Sequence, residues 1–121
     1  MAVRSAVNQN SGDYNYQVFQ WTGLLNSDTG APLKVGASIN LLVQTAASST
    51  FGAGGTVTWQ GSLDGTNWFT LSDTTVTAIT QTAAGQKMVL ESPLWIRPNI
   101  TAGDGTTSIT CNAAAQYFQR T

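Results

Sequence analysis

The stretch from Thr56 to Leu71, which reads TVTWQGSLDGTNWFTL, constrains the fold more than any other part of the chain. Apolar or small residues alternate with polar ones from Val57 to Leu63, which is the period-two pattern of a strand with one buried face. Residues 64–67, Asp-Gly-Thr-Asn, have turn chemistry, and Trp68 to Leu71 begin a return strand. The stretch therefore predicts a β-hairpin.

The length of the hairpin loop decides which aromatic side chains are buried. An even number of loop residues would bury Trp68 and expel Phe69 and Leu71. An odd number buries more apolar area, and we favour it for that reason. It places these residues on the core face: Trp59, Gly61, Leu63, Phe69 and Leu71. Trp68 is then expected to face outward.

The same alternation predicts the orientation of side chains in the segment between Pro93 and Pro98. Leu94 and Ile96 should face the core, while Trp95 and Arg97 should face outward. Outward tryptophans are typical of protein interfaces and of sugar-binding platforms. Alternatively, a loop or second sheet of the same chain covers Trp68 and Trp95, and the pattern leaves both possibilities open.

The remaining chain predicts an all-β protein, because short alternating segments are separated by Gly-, Asp- and Pro-rich turns and no segment has helical periodicity. We expect an antiparallel β-sandwich of about eight strands, either jelly-roll or Ig-like. On the first of these strands Phe19, Trp21, Gly23 and Leu25 should share a face. The predicted strands span 18–25, 35–43, 56–63, 68–71, 75–82, 86–91, 94–100 and 108–115.

Two parts of this prediction concern the domain plan and one strand position. Residues 1–17 are polar and without apolar periodicity, and we interpret them as an extended N-terminal arm or loop that lies against another surface, followed by a single sandwich domain over 18–121. Because proline cannot donate a ladder hydrogen bond, the strand containing Pro98 should be an edge strand or be interrupted by a bulge.

The low content of charged residues indicates which kinds of partner the protein can bind. Only 9% of residues are charged, against about 25% in an average soluble domain. A surface of hydroxyl and amide groups is easily desolvated, which suits a protein packed against copies of itself or against a partner. The five basic residues are dispersed and the net charge is -1, so no basic stripe is present and nucleic acid is not an expected partner.

Cys111 is the single cysteine, and it lies within an apolar alternation. We expect it to be a buried small hydrophobe rather than a reactive thiol. A lone cysteine without a signal peptide or a long apolar run predicts folding in a reducing cytoplasm and no membrane partner.

The residue inventory also argues against catalysis and against a cofactor. The chain has no histidine, which is the commonest general base and metal ligand. The aspartates lie in turn-like contexts, where they usually cap backbone amides, and a calcium site at Asp64 has too few oxygen ligands to be favoured. The aspartates in turn-like contexts are Asp13, Asp28, Asp64, Asp73 and Asp104. Glu91 could form a surface ion pair with Arg97.

Two segments together resemble a known family: GSLDGTNWFTL at 61–71 and SPLWIRPNITAGDGTTSITC at 92–111. Their order and spacing are similar to those of small virion structural proteins of tailed bacteriophages, of the head-decoration or cement type. In that family a Ser-x-Asp-Gly-Thr-x-Trp hairpin precedes an Ile-Arg-Pro strand and a Gly-x-Gly-Thr turn. The resemblance covers residues 56–111, about half of the chain. The first segment alone also resembles discoidin-type carbohydrate-binding modules.

The resemblance implies a non-enzymatic β-sandwich that binds the capsid surface of a virion as a homodimer or homotrimer and stabilises the lattice of the major capsid protein. A carbohydrate-binding module and another virion component, such as a neck or tail-fibre protein, are the alternatives. From exposure and composition we expect the interface to include Tyr14, Tyr16, Trp68, Trp95, Arg97, Tyr117 and Phe118.

Overall fold

The computed structural model describes residues 3–8, 16–35 and 38–117, which form twelve strands and no helix. No segment in these ranges is therefore a helix that could cross a membrane. The strands are β1 (Val3–Arg4), β2 (Val7–Asn8), β3 (Tyr16–Leu25), β4 (Thr29–Gly30), β5 (Leu33–Lys34), β6 (Ser38–Thr45), β7 (Thr56–Ser62), β8 (Phe69–Thr70), β9 (Thr80–Gln81), β10 (Gly85–Met88), β11 (Trp95–Ala102) and β12 (Ser108–Tyr117).

The strands form two sheets that enclose one core, so the predicted β-sandwich is confirmed. One sheet has seven strands in the order β1-β4-β11-β7-β8, with β5 also paired to β11 and β9 to β7. The other has five strands in the order β10-β6-β12-β3-β2. Every strand pair is antiparallel except β1 with β4.

Two tryptophans join the sheets across the core. Trp21 on β3 and Trp59 on β7 are both fully buried, and their rings meet edge to face with centroids 5.8 Å apart. Such aromatic pairs contribute about 0.5–1.5 kcal/mol beyond their area burial. Both indole N–H groups have acceptors: Trp21 donates to the Ala31 carbonyl at 3.1 Å and Trp59 to Gln81 Oε1 at 2.8 Å. The core thus has no unsatisfied indole.

The strand count differs from the prediction of about eight because six of the twelve strands have only two residues. The predicted strand over 75–82 is also wrong for most of its length. Only β9 within it is a strand, because the Asp73 side chain accepts hydrogen bonds from the Thr75 and Thr77 amides and folds residues 73–77 into a turn.

The single face predicted for Phe19, Trp21, Gly23 and Leu25 on the first long strand is wrong at Leu25, because Trp21 is fully buried and Leu25 is not. Leu24 is fully buried and Leu25 is 45% exposed. The reason is an irregularity in pairing with β12 that lies opposite Gly23, whose φ of 64° is typical of glycine. The extra residue reverses the alternation after this point.

Pro98 lies in an internal strand rather than at an edge, so the edge alternative is wrong. β11 pairs with β7 on one side and with the short strands β4 and β5 on the other. Pro98 is tolerated because β4 ends at Gly30 and β5 begins at Leu33, which leaves the ladder interrupted beside its ring. A Cβ at Gly30 would lie 2.5 Å from Pro98 Cδ, so this glycine permits the close approach. The bulge in β11 occurs later, between Ile100 and Ala102.

The described part of the predicted arm lies on the same chain. β1 pairs with β4 of the seven-stranded sheet, and β2 pairs with β3 of the five-stranded sheet. Arg4 Nε also donates to Asp28 Oδ2 at 3.1 Å. Residues 3–8 therefore connect the two sheets at one side of the sandwich.

Candidate interaction surfaces

The loop of the β7–β8 hairpin is held by the Asp64 carboxylate. Oδ1 accepts hydrogen bonds from the amides of Thr66 at 2.9 Å and Asn67 at 2.8 Å, and Oδ2 accepts one from Asn67 Nδ2 at 2.7 Å. These donors, together with the Ser62 hydroxyl, hold the pKa of Asp64 well below its usual range. The turn role predicted for this aspartate is confirmed.

The odd loop number predicted for the hairpin is confirmed. Gly61 lies directly opposite Phe69, so these residues share a face, and Gln60 lies opposite Thr70 on the other face. Trp59 and Leu71 are buried as expected, with 0% and 3% exposure.

The predicted burial of Leu63 and Phe69 is wrong, because their side chains are 77% and 73% exposed. The period of a strand fixes the face on which a side chain lies, but not whether another layer covers that face. Leu63 follows the last residue of β7, and Phe69 lies on a two-residue strand at the margin of the seven-stranded sheet. The apolar face of the hairpin therefore extends beyond the core.

A groove of about 480 Å³ lies along this uncovered face, and we call it the hairpin groove. Its apolar wall consists of Gly61, Leu63, Phe69, Leu71 and Pro93. Its polar rim carries two acidic side chains, Asp64 and Glu91, and none of the described residues that line it is a lysine or arginine. Sites that bury small ligands or protruding side chains have volumes of about 300–1,000 Å³, so the groove is large enough to hold part of a partner.

Glu91 contributes to the groove rather than to the ion pair expected with Arg97. Glu91 Oε1 accepts a hydrogen bond from the Ser72 amide at 2.8 Å. Arg97 instead donates from Nε to Gln60 Oε1 at 2.9 Å, on the outer face of the sheet. The expected ion pair is wrong because Glu91 lies at the hairpin groove, whereas Arg97 lies on the outer face of the sheet.

The outer face of the seven-stranded sheet carries two cation–aromatic contacts. Arg97 Cζ lies 4.1 Å from the centroid of the Trp68 ring, and Lys34 Nζ lies 5.9 Å from that of Trp95. Attraction of this kind contributes about 0.5–2 kcal/mol, depending on desolvation. We call the set formed by Lys34, Gln60, Trp68, Trp95 and Arg97 the Trp–Arg face.

Both tryptophans on this face are half-buried, so the two alternatives considered for them each hold in part. They face outward from the sheet, as the alternation predicted, yet their own chain covers some of each ring. The guanidinium of Arg97 covers Trp68, and the loop at Gly65 approaches Trp95.

Arg97 is also half-buried, and this burial lowers the pKa of its guanidinium. Arginine remains protonated in proteins all the same, so the face keeps its positive charge. Within the described ranges, only the Nε atom of this side chain has a hydrogen-bond partner.

The other described aspartates serve turns, as the sequence indicated. Asp104 accepts hydrogen bonds from the Thr106 amide and hydroxyl and from the Ala53 amide, which lowers its pKa to about 2. Asp28 accepts from the Leu25 amide at 2.9 Å. Asp13 lies outside the described residues.

Cys111 is fully buried, as predicted, and burial raises the pKa of its thiol. A raised pKa leaves the thiol protonated and unreactive at neutral pH.

Four of the seven predicted interface residues lie at the ends of the described ranges or outside them. Tyr14 and Phe118 lie outside the described residues, while Tyr16 and Tyr117 begin β3 and end β12. Trp68, Trp95 and Arg97 do lie together on one face. Sequence reasoning missed Lys34, Gln60, Leu63 and Phe69; the cross-strand register of Lys34 with Trp95 and of Gln60 with Arg97 became visible only with the sheet order.

Among the described residues, no group of three or more acidic, cysteine or histidine side chains is placed to hold a metal ion. Comparison of the chain with protein-family models, with curated proteins and with solved structures found no match.

Proposed function

We propose that this protein is a non-enzymatic structural component of a bacteriophage particle, a capsid decoration or cement protein that binds the lattice of the major capsid protein as an oligomer. The observation that carries the proposal is the apolar side of the hairpin groove. Leu63 and Phe69 expose about three quarters of their surface on the same hairpin that carries the family resemblance. Exposed apolar side chains grouped beside a groove are typical of interaction sites.

The scaffold behind this surface supports a binding role. In the described part of the chain no buried side-chain nitrogen or oxygen lacks a hydrogen-bond partner, and Asp64 fixes the hairpin loop through local bonds. A surface held rigidly in its binding conformation loses little conformational entropy on association. On a capsid, repeated copies of a modest contact would reach high occupancy through multivalency.

Sugar binding is less well supported by the same geometry. A sugar ring stacks on an open aromatic face, but the Arg97 guanidinium already lies over Trp68 at 4.1 Å. Trp95 is half-buried, with Lys34 and the Gly65 loop beside it. Neither ring presents a broad open platform.

The test is a binding assay with particles of the encoding phage prepared without this chain. Purified chain is added, the particles are sedimented, and bound protein is quantified; electron microscopy then locates it on the surface. The wild-type chain should saturate discrete sites above capsomer junctions. The double variant Leu63→Ser/Phe69→Ser should bind at least tenfold more weakly, because it loses the apolar contact that holds the bound oligomer together and with it the multivalency that raises occupancy.

Leu25→Ser is the matched control, because Leu25 is an exposed leucine on the other sheet and does not line the groove. It should bind like the wild type. Absence of saturable wild-type binding, or equal binding by the double variant, would overturn the proposal.

A further inference from the structure

We propose that the two surfaces on either side of the β7–β8 hairpin bind each other between copies of this chain: the Trp–Arg face of one copy occupies the hairpin groove of the next. The inference rests on the oligomeric part of the proposed function and names the contact that would build the oligomer. It is carried by charge complementarity and by the position of the two surfaces on either side of the β7–β8 hairpin.

The charges of the two surfaces are opposite and unpaired within the described chain. The two ion pairs found there are Arg4 with Asp28 and Lys87 with Asp73. Lys34 and Arg97 on the Trp–Arg face thus have no acidic partner within 4.0 Å, and the groove rim has no basic partner for its carboxylates. A contact between copies would give both sets of charges their counterparts.

Arg97 gives this contact its anchor. Its guanidinium is partly desolvated by Trp68, and its two terminal nitrogens have no hydrogen-bond partner among the described residues. Every buried side-chain nitrogen among the described residues has a hydrogen-bond partner, so these two nitrogens are open to solvent and to a partner. The guanidinium fork matches a carboxylate in a bidentate geometry. Glu91 of the next copy is the carboxylate that we assign, because one of its oxygens is already fixed by the Ser72 amide.

The apolar parts of the surfaces complement each other in the same way. Leu63 and Phe69 would cover the tryptophan edges that the Trp–Arg face leaves half exposed. Tryptophan and arginine are the residues most enriched where interface energy is concentrated, and they act best when surrounding apolar groups exclude water.

The contact is head-to-tail, because it joins two different surfaces. A contact of this type does not produce a two-fold symmetric dimer; it closes into a ring of three or more copies or continues as a filament. It therefore favours the trimer over the dimer among the oligomers considered for this chain.

Charge reversal in the 121-residue chain tests the contact. The mass of the assembly is measured by analytical ultracentrifugation as a function of concentration. The wild type should form assemblies of three or more copies, and Arg97→Glu and Glu91→Arg should each weaken association at least tenfold. An equimolar mixture of the two variants should again form assemblies larger than those that either variant forms alone. A contact between unlike variants pairs either Arg97 with Glu91 or the two reversed residues, and both pairs are oppositely charged.

Two further variants separate the contact from folding effects. Glu91→Gln keeps the acceptor for the Ser72 amide while removing the charge, and Lys34→Glu alters an exposed residue of the same face. Both should weaken association with an unchanged melting temperature. A monomeric wild type, a two-fold dimer, or a mixture that stays monomeric would overturn the inference.

The particle assay keeps this outcome distinct from that of the proposed function. Saturable binding by a wild-type chain that is monomeric would leave the particle role standing and reject the contact between copies. Association between copies without any binding to particles would reject the particle role alone.

Discussion

Two turns of this protein share the triplet Asp-Gly-Thr, but only one of them is hydrogen-bonded to another loop and followed by a buried strand residue. At 64–66 the triplet forms the tip of the β7–β8 hairpin, and at 104–106 it connects β11 to β12. In both turns the aspartate Oδ1 accepts a hydrogen bond from the backbone amide two residues later, at N···O distances of 2.9 Å and 2.8 Å. Only the second turn is tied to another loop, because Asp104 also accepts the Ala53 amide and Thr107 donates to the Phe51 carbonyl.

The residue five positions after each aspartate shows what the difference means. Ile109 is fully buried, whereas Phe69 is 73% exposed. Local chemistry makes the same bend in both places, and the surrounding layers decide whether the following strand belongs to the core or to a surface. The Asp104 turn is thus part of the scaffold, while the Asp64 turn leads into the exposed apolar side chains of the hairpin groove.

The largest effect on stability should come from truncating Ile109, and the same truncation at Phe69 is its matched comparison. Ile109→Ala should lower the free energy of unfolding by about 2–5 kcal/mol, because it leaves a cavity in the core. Phe69→Ala should change it by no more than about 0.5 kcal/mol, because the ring is mostly in water. Chemical denaturation measures both, and a comparable loss in the two variants would erase the contrast.

A second comparison uses the residue that follows each triplet. Thr107 Oγ1 donates to the Phe51 carbonyl at 2.8 Å and accepts from the Asp104 amide at 2.9 Å. Thr107→Val leaves both groups without this partner and should cost about 2–4 kcal/mol. The exposed Asn67 bonds only within its own turn, so Asn67→Ala should cost no more than about 1 kcal/mol. Urea unfolding measures the loss in free energy of unfolding for each variant. A larger loss for Asn67→Ala than for Thr107→Val would contradict the stronger anchoring of the Asp104 turn.

The glycines distinguish the backbones of the turns. Gly65 has a φ of 77°, a left-handed conformation that costs an L-residue about 1–2 kcal/mol. Gly65→Ala should destabilise by that amount. Gly105 has no such φ and no atom near the position of a Cβ, so Gly105→Ala should be neutral or stabilise by up to about 1 kcal/mol. Equal melting temperatures for the two variants would contradict this difference.

The smallest effect concerns acid pH. The turn donors lower the pKa of Asp104 from 3.8 to about 2, and that of Asp64 further still. A lowered folded-state pKa adds stability that is present above the unfolded pKa and is lost as the pH falls through the folded value. Melting temperatures should therefore fall between about pH 5 and pH 2. Asp64→Asn and Asp104→Asn should each flatten the decline; carboxyl titration by NMR should place Asp64 below Asp104, and two values near 3.8 would contradict it.

Much of the fold could be predicted from the sequence because its signals are local. The alternation from Val57 to Leu63 and the turn residues after it are sufficient to place the hairpin, its odd loop and the buried Trp59. The alternation failed at Leu25, since the irregularity opposite Gly23 depends on pairing with β12, more than 80 residues away in the chain. Non-local pairing leaves no local pattern that could reveal such a shift.

The candidate surfaces were predictable only in part, for a related reason. The outward direction of Trp68, Trp95 and Arg97 follows from strand parity, and the structure brings Arg97 and Trp68 together. The exposure of Phe69 does not follow from parity, because it depends on how far the opposite sheet extends.

The order of the five-stranded sheet has a consequence for synthesis of the protein. β12 is formed from residues 108–117, yet it lies in the middle of that sheet, between β3 and β6. A nascent chain on the ribosome cannot join those two strands until β12 has emerged, so their inner edges stay unpaired until residues 108–117 have been made. Unpaired edges invite aggregation. A product that ends before residue 108 would lack the central strand, and cellular proteases could recognise it as incomplete.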